Sequence, residues 1–225
     1  MNKQYYLPPI FCFIVLIICP SILYGQETMI LGINSDEPTV ALPPRSSSNR
    51  IVAAANVDQL YYLKKGAINF KNTQAISTLG VYGDPVLHYS DRDLFYAHLS
   101  KTPNKKYGDW FDRIVVQKIH SFTPWRESSY SVGYNPPKMQ DKPWLCSDNH
   151  SKKFNGNVYV TWTEFDKYNS KDSSDFSRIR FSKYVPKFDS FSNAITISDT
   201  VGDCQDGDNT LEGATTAVGS NGEIY

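Results

Sequence analysis

Asp84-Pro85-Val86-Leu87-His88-Tyr89, a polar step at Ser90-Asp91-Arg92-Asp93, and Leu94-Phe95-Tyr96-Ala97-His98-Leu99 make one hairpin-shaped unit. Both flanks are rich in β-branched and aromatic residues, which suit a pleated surface, and the step between them is made of turn formers. The same local grammar recurs three more times. An earlier copy runs Glu37-Pro38-Thr39-Val40-Ala41-Leu42, a turn at Ser48-Asn49-Arg50, then Ile51-Val52-Ala53-Ala54-Ala55. A later one is Asp141-Lys142-Pro143-Trp144-Leu145-Cys146, a turn ending in Asn155-Gly156, then Asn157-Val158-Tyr159-Val160-Thr161-Trp162. The last is Glu212-Gly213-Ala214-Thr215-Thr216-Ala217-Val218, a turn at Asn221-Gly222, then Glu223-Ile224-Tyr225. Asn-Gly favours tight hairpins because both residues tolerate the positive φ of a type I′ turn.

Three copies add a third strand: Gln59–Leu63, Arg113–Lys118 and Arg178–Lys183, and a further run follows at Ala194–Ser198. Acid-led units of up to four antiparallel strands, restarting at 37, 84, 141 and 212, have the spacing of propeller blades with loop insertions. The expected fold is therefore all-β, an incomplete β-propeller of three blades plus the start of a fourth. A β-sandwich would also give many short strands, but it has no reason to restart with the same hairpin.

The chain has 225 residues, and residues 1–25 read as a signal peptide: Lys3, an apolar run over Ile10–Leu23 broken by Pro20, and small Gly25 before Gln26. The run is shorter than the roughly 20 residues that span a bilayer. A secreted product, extracellular or periplasmic, with no membrane span after cleavage is expected, its propeller part occupying residues 26–225. Cys146 and Cys204 then remain, and their pairing is left open. Lys plus Arg equal Asp plus Glu at 23 each, with the signs interspersed, so nothing recruits a nucleic acid.

Segments after the third strands resemble degenerate copies of the Asp box: Tyr62–Phe70, Lys118–Trp125 and Ser182–Phe191. Together with Tyr82-Gly83-Asp84-Pro85, Asp141-Lys142-Pro143-Trp144, Val158–Asp166 and Gly202–Gly213, they resemble the secreted bacterial sialidase-like proteins with BNR repeats. The resemblance covers about residues 37 to 225 and implies a propeller of six or so blades acting on glycans or glycoproteins as an exo-α-sialidase. It also implies three arginines on the substrate carboxylate, a Tyr–Glu nucleophile pair and an Asp acid/base. Arg50-Ile51-Val52 is the nearest match to the family's Arg-Ile-Pro, lacking the Pro, and the later arginines and the Tyr have no counterpart here. A non-catalytic propeller that binds glycan or protein on its channel face is the alternative. The chain as it stands is expected to be inactive on sialosides and poorly soluble, with an unpaired strand at Glu223-Ile224-Tyr225.

Independently of that resemblance, equivalent starts in successive blades would bring Glu37, Asp84, Asp141 and Glu212 to one mouth. Close carboxylates raise one another's pKa, so Asp84, Asp141 and Glu212 are candidates for acid/base work or cation binding. The competing role for each acid is to cap its strand by accepting backbone N–H bonds. Tyr82 and Trp144 are candidate substrate contacts near that mouth, Trp144 as a stacking platform. Asp203, Asp206 and Asp208, around Gly207, offer several oxygens from one tight loop and would suit calcium, the competing reading being a solvated loop. The four histidines lack zinc-site spacing.

Overall fold

The computed structural model describes residues 36–43, 50–91, 93–103, 111–205, 207 and 209–225. The expected signal peptide, the first turn at Ser48-Asn49, Arg92, Asp206 and Asp208 lie outside the described residues.

The described chain is all-β. The first antiparallel sheet holds β1 (Thr39–Ala41), β2 (Ile51–Ala55), β3 (Gln59–Leu63) and β4 (Lys71–Gln74) in sequence order. The second holds β5 (Val86–Ser90), β6 (Asp93–Ser100), β7 (Arg113–Phe122) and β8 (Trp125–Val132) in the same order. The third holds β9 (Met139–Ser147), β10 (Val158–Phe165), β11 (Ser177–Val185) and β12 (Ser190–Phe191), with β13 (Ile195–Thr196) also on β11. β12 pairs with Tyr184–Val185 and β13 with Arg180–Phe181, so the two stubs share the fourth position along one edge. None of the sheets closes on itself.

Period-two side-chain alternation decides how the sheets meet. β6 sends Leu94 and Tyr96 into a cluster with Val52, Ala54, Leu60 and Tyr62 of the first sheet. Its alternate residues Phe95, Ala97 and Leu99 join Leu145, Val158, Val160, Trp162 and Tyr184 of the third. The middle sheet is thus buried on both faces, which is why β6 reads as a nearly unbroken apolar run. Two interfaces around one sheet also exclude an ordinary two-sheet sandwich. Each such side chain, once buried, contributes about 1.5–3 kcal/mol. Trp162, fully buried, also satisfies its indole N–H by donating to Oε1 of Gln140 at 2.6 Å.

The first strands lie against one another, β1 beside β5 and β5 beside β9. The outer strands β4 (KNTQ) and β8 (WRESSYSV) escaped the sequence reading because they are polar and mostly exposed or half-buried. The three degenerate boxes occupy equivalent places, the turns from third to fourth strand in each sheet. In the last of these turns, Asp189 accepts from the hydroxyls of Tyr130 at 2.6 Å and Tyr184 at 2.7 Å, tying β8 to the third sheet.

A charged network braces the third sheet. Arg178 grips Asp166 with both terminal nitrogens at 2.7 Å and reaches Oε1 of buried Glu164 at 3.1 Å. Lys138 and Asn135 complete it, at 2.8 Å from Asp166 and 2.9 Å from Glu164. Buried carboxylates are tolerated only when paired and hydrogen-bonded in this way.

The end of the described chain forms the hairpin expected of the fourth copy. Ala217 and Tyr225 exchange both backbone hydrogen bonds at 2.9 Å, and Gly222, at φ 93°, closes the turn between them.

Candidate functional site

Four tripeptides line one cavity of about 330 Å³: Glu37-Pro38-Thr39, Asp84-Pro85-Val86, Lys142-Pro143-Trp144 and Gly213-Ala214-Thr215. The first residue of each has left-handed backbone, with φ of 47°, 50°, 44° and 70°. Four copies of one local geometry therefore face a shared space. For Glu37, Asp84 and Lys142 this conformation costs of order 1–3 kcal/mol relative to the glycine found in the fourth copy.

The shared geometry corrects the sequence alignment by one residue in two copies. Asp141 and Glu212 precede the left-handed position that Glu37 and Asp84 occupy. In the third sheet the cause is a bulge: β10 pairs Thr161 with Trp144 but Thr163 with Asp141, leaving an extra residue on β9. Such a bulge re-aims the side chains around it. It places Lys142, not an acid, at the cavity wall.

The acids nonetheless meet. The backbone N–H of Lys142 donates to Oδ1 of Asp141 at 2.9 Å and to Oδ2 of Asp84 at 3.3 Å. The Lys142 ammonium sits 3.0 Å from Oε1 of Glu37 and 3.5 Å from Oδ2 of Asp84. Asn56 closes the other side, donating to Oε2 of Glu37 at 2.5 Å and accepting the Asp84 backbone N–H at 2.8 Å.

Protonation follows depth. Asp141 is 8% exposed, and burial, then the charge and hydrogen bond of Asp84, raise its pKa far above the ordinary carboxylate range. Burial and the hydrogen bond with Glu37 likewise raise Asp84. Glu37, exposed, is lowered by its hydrogen bond with Asp84 and by Lys142 and Asn56. The two deeper carboxyls are thus raised and the exposed one is lowered. Lys142 is raised in turn by the acids around it, which outweigh its partial burial.

Asp141 is buried, caps the Lys142 backbone N–H and does not line the cavity, so of the acids expected at one mouth Glu37 and Asp84 face the shared space. Glu212 lies close enough to add to the rise at Asp141. Trp144 stands on the cavity wall with 41% of its surface exposed. Tyr82 does not line the cavity: its ring packs 5.8 Å from Phe111, with the Lys101 ammonium 5.0 Å above it. Arg50 is held over the rings of Tyr62 and Phe122, at 5.4 and 5.3 Å, in the core between the first two sheets.

No protein-family model, curated protein or solved structure matches this chain.

Elsewhere, Asp203 accepts from the Gln205 backbone N–H at 3.2 Å and the Thr210 hydroxyl at 3.3 Å, which is the work of a loop cap. Among the described residues no group of three His, Cys, Asp or Glu side chains is placed to hold a metal ion. Cys146 and Cys204 are separate buried thiols rather than a disulfide, both raised by burial. Among the described residues no helix is long and apolar enough to cross a membrane.

Sequence reasoning missed Asn56 and Lys142. Asn56 was hidden because a turn Asn usually serves its own turn. Lys142 was hidden because the copies were aligned on their acids; aligned on Pro38, Pro85 and Pro143, it falls at the place of Glu37 and Asp84.

Proposed function

We propose that the three sheets are successive blades of a sialidase-like β-propeller whose mouth binds a neutral glycan. The observation that carries this reading is the cavity lined by four tripeptides of one backbone geometry, as ring symmetry around a channel would produce. Supporting it, β1, β5 and β9 neighbour one another, and the degenerate boxes fall at equivalent turns.

The chemistry of the mouth suits sugar hydroxyls. Ionised Glu37 can accept hydrogen bonds, the Lys142 ammonium can donate them, and Trp144 offers a ring face for stacking. An anionic sugar fits less well: among the described residues no arginine lines the cavity, and the two carboxyls of Glu37 and Asp84 face one ammonium.

A second reading, a glycoside hydrolase of sialidase type, is favoured by one feature: a buried carboxylic acid that keeps its proton near neutral pH is suited to protonating a leaving group. Calorimetric titration with neutral and sialylated oligosaccharides, beside release of a fluorogenic aglycone from both classes, separates the two. Binding of neutral sugars without turnover is expected. Turnover of a sialoside, abolished by Asp141→Asn, would replace the binding role with the catalytic one.

A further inference from the structure

Tyr96, His98 and Gln117 are fully buried. Each nevertheless carries a polar atom without a hydrogen-bond partner: Oη of Tyr96, Nε2 of His98 and Oε1 of Gln117. An unsatisfied buried group costs about 1–3 kcal/mol, so three in one patch call for an account.

They do form one patch. Tyr96 and His98 alternate on β6 and so share a face, with ring centroids 5.3 Å apart, and Gln117 is the cross-strand partner of Tyr96 on β7. That face looks toward the first sheet, where Tyr96 joins the core with Ala75. The remaining atoms of the trio fix the roles of the orphaned ones. Nδ1 of His98 lies 2.9 Å from the Leu99 carbonyl, so the ring proton sits there and Nε2 is left as an acceptor. The Gln117 amide nitrogen donates to the Ile76 carbonyl at 2.8 Å, which leaves Oε1 as an acceptor too. Burial raises the Tyr96 hydroxyl further above neutrality, so it keeps its proton and can donate.

One donor and two acceptors are the complement of a water molecule, which accepts one hydrogen bond and donates two. We propose that a single internal water is bound there, accepting from Tyr96 Oη and donating to His98 Nε2 and Gln117 Oε1. Buried waters typically make about three hydrogen bonds to otherwise unsatisfied groups. A bare cation fits poorly, because the tyrosine contributes a proton where a metal needs a lone pair.

The site bears on the mouth through the backbone. The Leu99 N–H donates to the Gly83 carbonyl at 3.0 Å, one residue before Asp84, and the Ser100 hydroxyl holds the Leu79 carbonyl at 2.8 Å. A water that fixes His98 therefore steadies the strand from which Gly83 and Asp84 hang. The test is a high-resolution crystal structure of the full chain, together with a double-mutant cycle of Tyr96→Phe and Gln117→Met followed by denaturant unfolding. One ordered solvent peak within about 3 Å of all three atoms, and effects of the two substitutions that fail to add, are expected. Direct contact of Tyr96 Oη with His98 or Gln117, no solvent density, or strictly additive effects would overturn it. Should a variant not fold, the density of the unsubstituted protein decides.

Discussion

Asn56 and Asp84 are joined from the turn after β2 to the start of β5: the Asp84 backbone N–H donates to Oδ1 of Asn56 at 2.8 Å. The same side-chain amide grips Glu37, so one residue holds two of the three carboxyl-bearing positions in place. Asn56→Ala should loosen both, costing about 1–2 kcal/mol in denaturant unfolding and weakening sugar binding. Asn56→Asp should be worse than Ala for binding, since it sets a like charge against Glu37. Equal effects of the two substitutions would show that the amide does not organise the mouth.

Asp141→Asn tests the protonation order. A carboxyl whose pKa is raised in the folded protein binds protons more tightly there than in the unfolded chain. Its favourable contribution is complete below the ordinary carboxylate pKa of about 4 and is lost as pH rises above it. The amide has no such loss and still accepts the Lys142 N–H. The variant should therefore melt at a higher temperature than the parent at pH 8, with the gap closing toward pH 4. A gap that widens on acidification would reverse the assignment.

His98 titrates in the opposite sense. Burial lowers its pKa to about 4, against an ordinary value of 6.5. The unfolded chain then takes up the proton first, so stability is intact above pH 6.5 and falls as pH drops from 6.5 toward 4. The loss approaches about 3 kcal/mol. His98→Phe should remove most of that slope, read from unfolding midpoints at pH 7 and pH 4.5.

Trp144→Ala is the sharpest test of the binding role. More than half of the residue's surface is covered, so its removal also lowers thermal stability, and affinity is read where the variant is fully folded. Loss of a stacking face should weaken sugar binding about tenfold, a change of roughly 1.4 kcal/mol. Unaltered affinity by calorimetry would move the ligand away from the cavity.

Much of this was legible in the chain. The inner hairpins announced themselves through aromatic and β-branched runs between turn formers, and the repeated starts put Glu37 and Asp84 at equivalent places, whereas Asp141, expected at the same mouth, is one residue out of step and buried. What stayed hidden was set by partners distant in sequence. Lys71–Gln74 has no apolar residue to betray a strand and is held only by pairing to β3. The step that puts Lys142 where the first two copies have an acid is, by contrast, marked by the prolines Pro38, Pro85 and Pro143 and accompanies a register shift against β10. Tyr82 was placed at the mouth by its nearness to Asp84, whereas its ring packs on Phe111 instead.

The outer rims of the sheets carry a consequence for how molecules behave toward one another. β4 is short and polar, and the fourth position of the third sheet is broken into two stubs of two residues each. A neighbouring molecule seeking to extend a sheet needs a long, regular row of free N–H and C=O groups, and short or interrupted rims deny it that row. The interruption between β12 and β13 thus acts as a stop against edge-to-edge polymerisation along that rim.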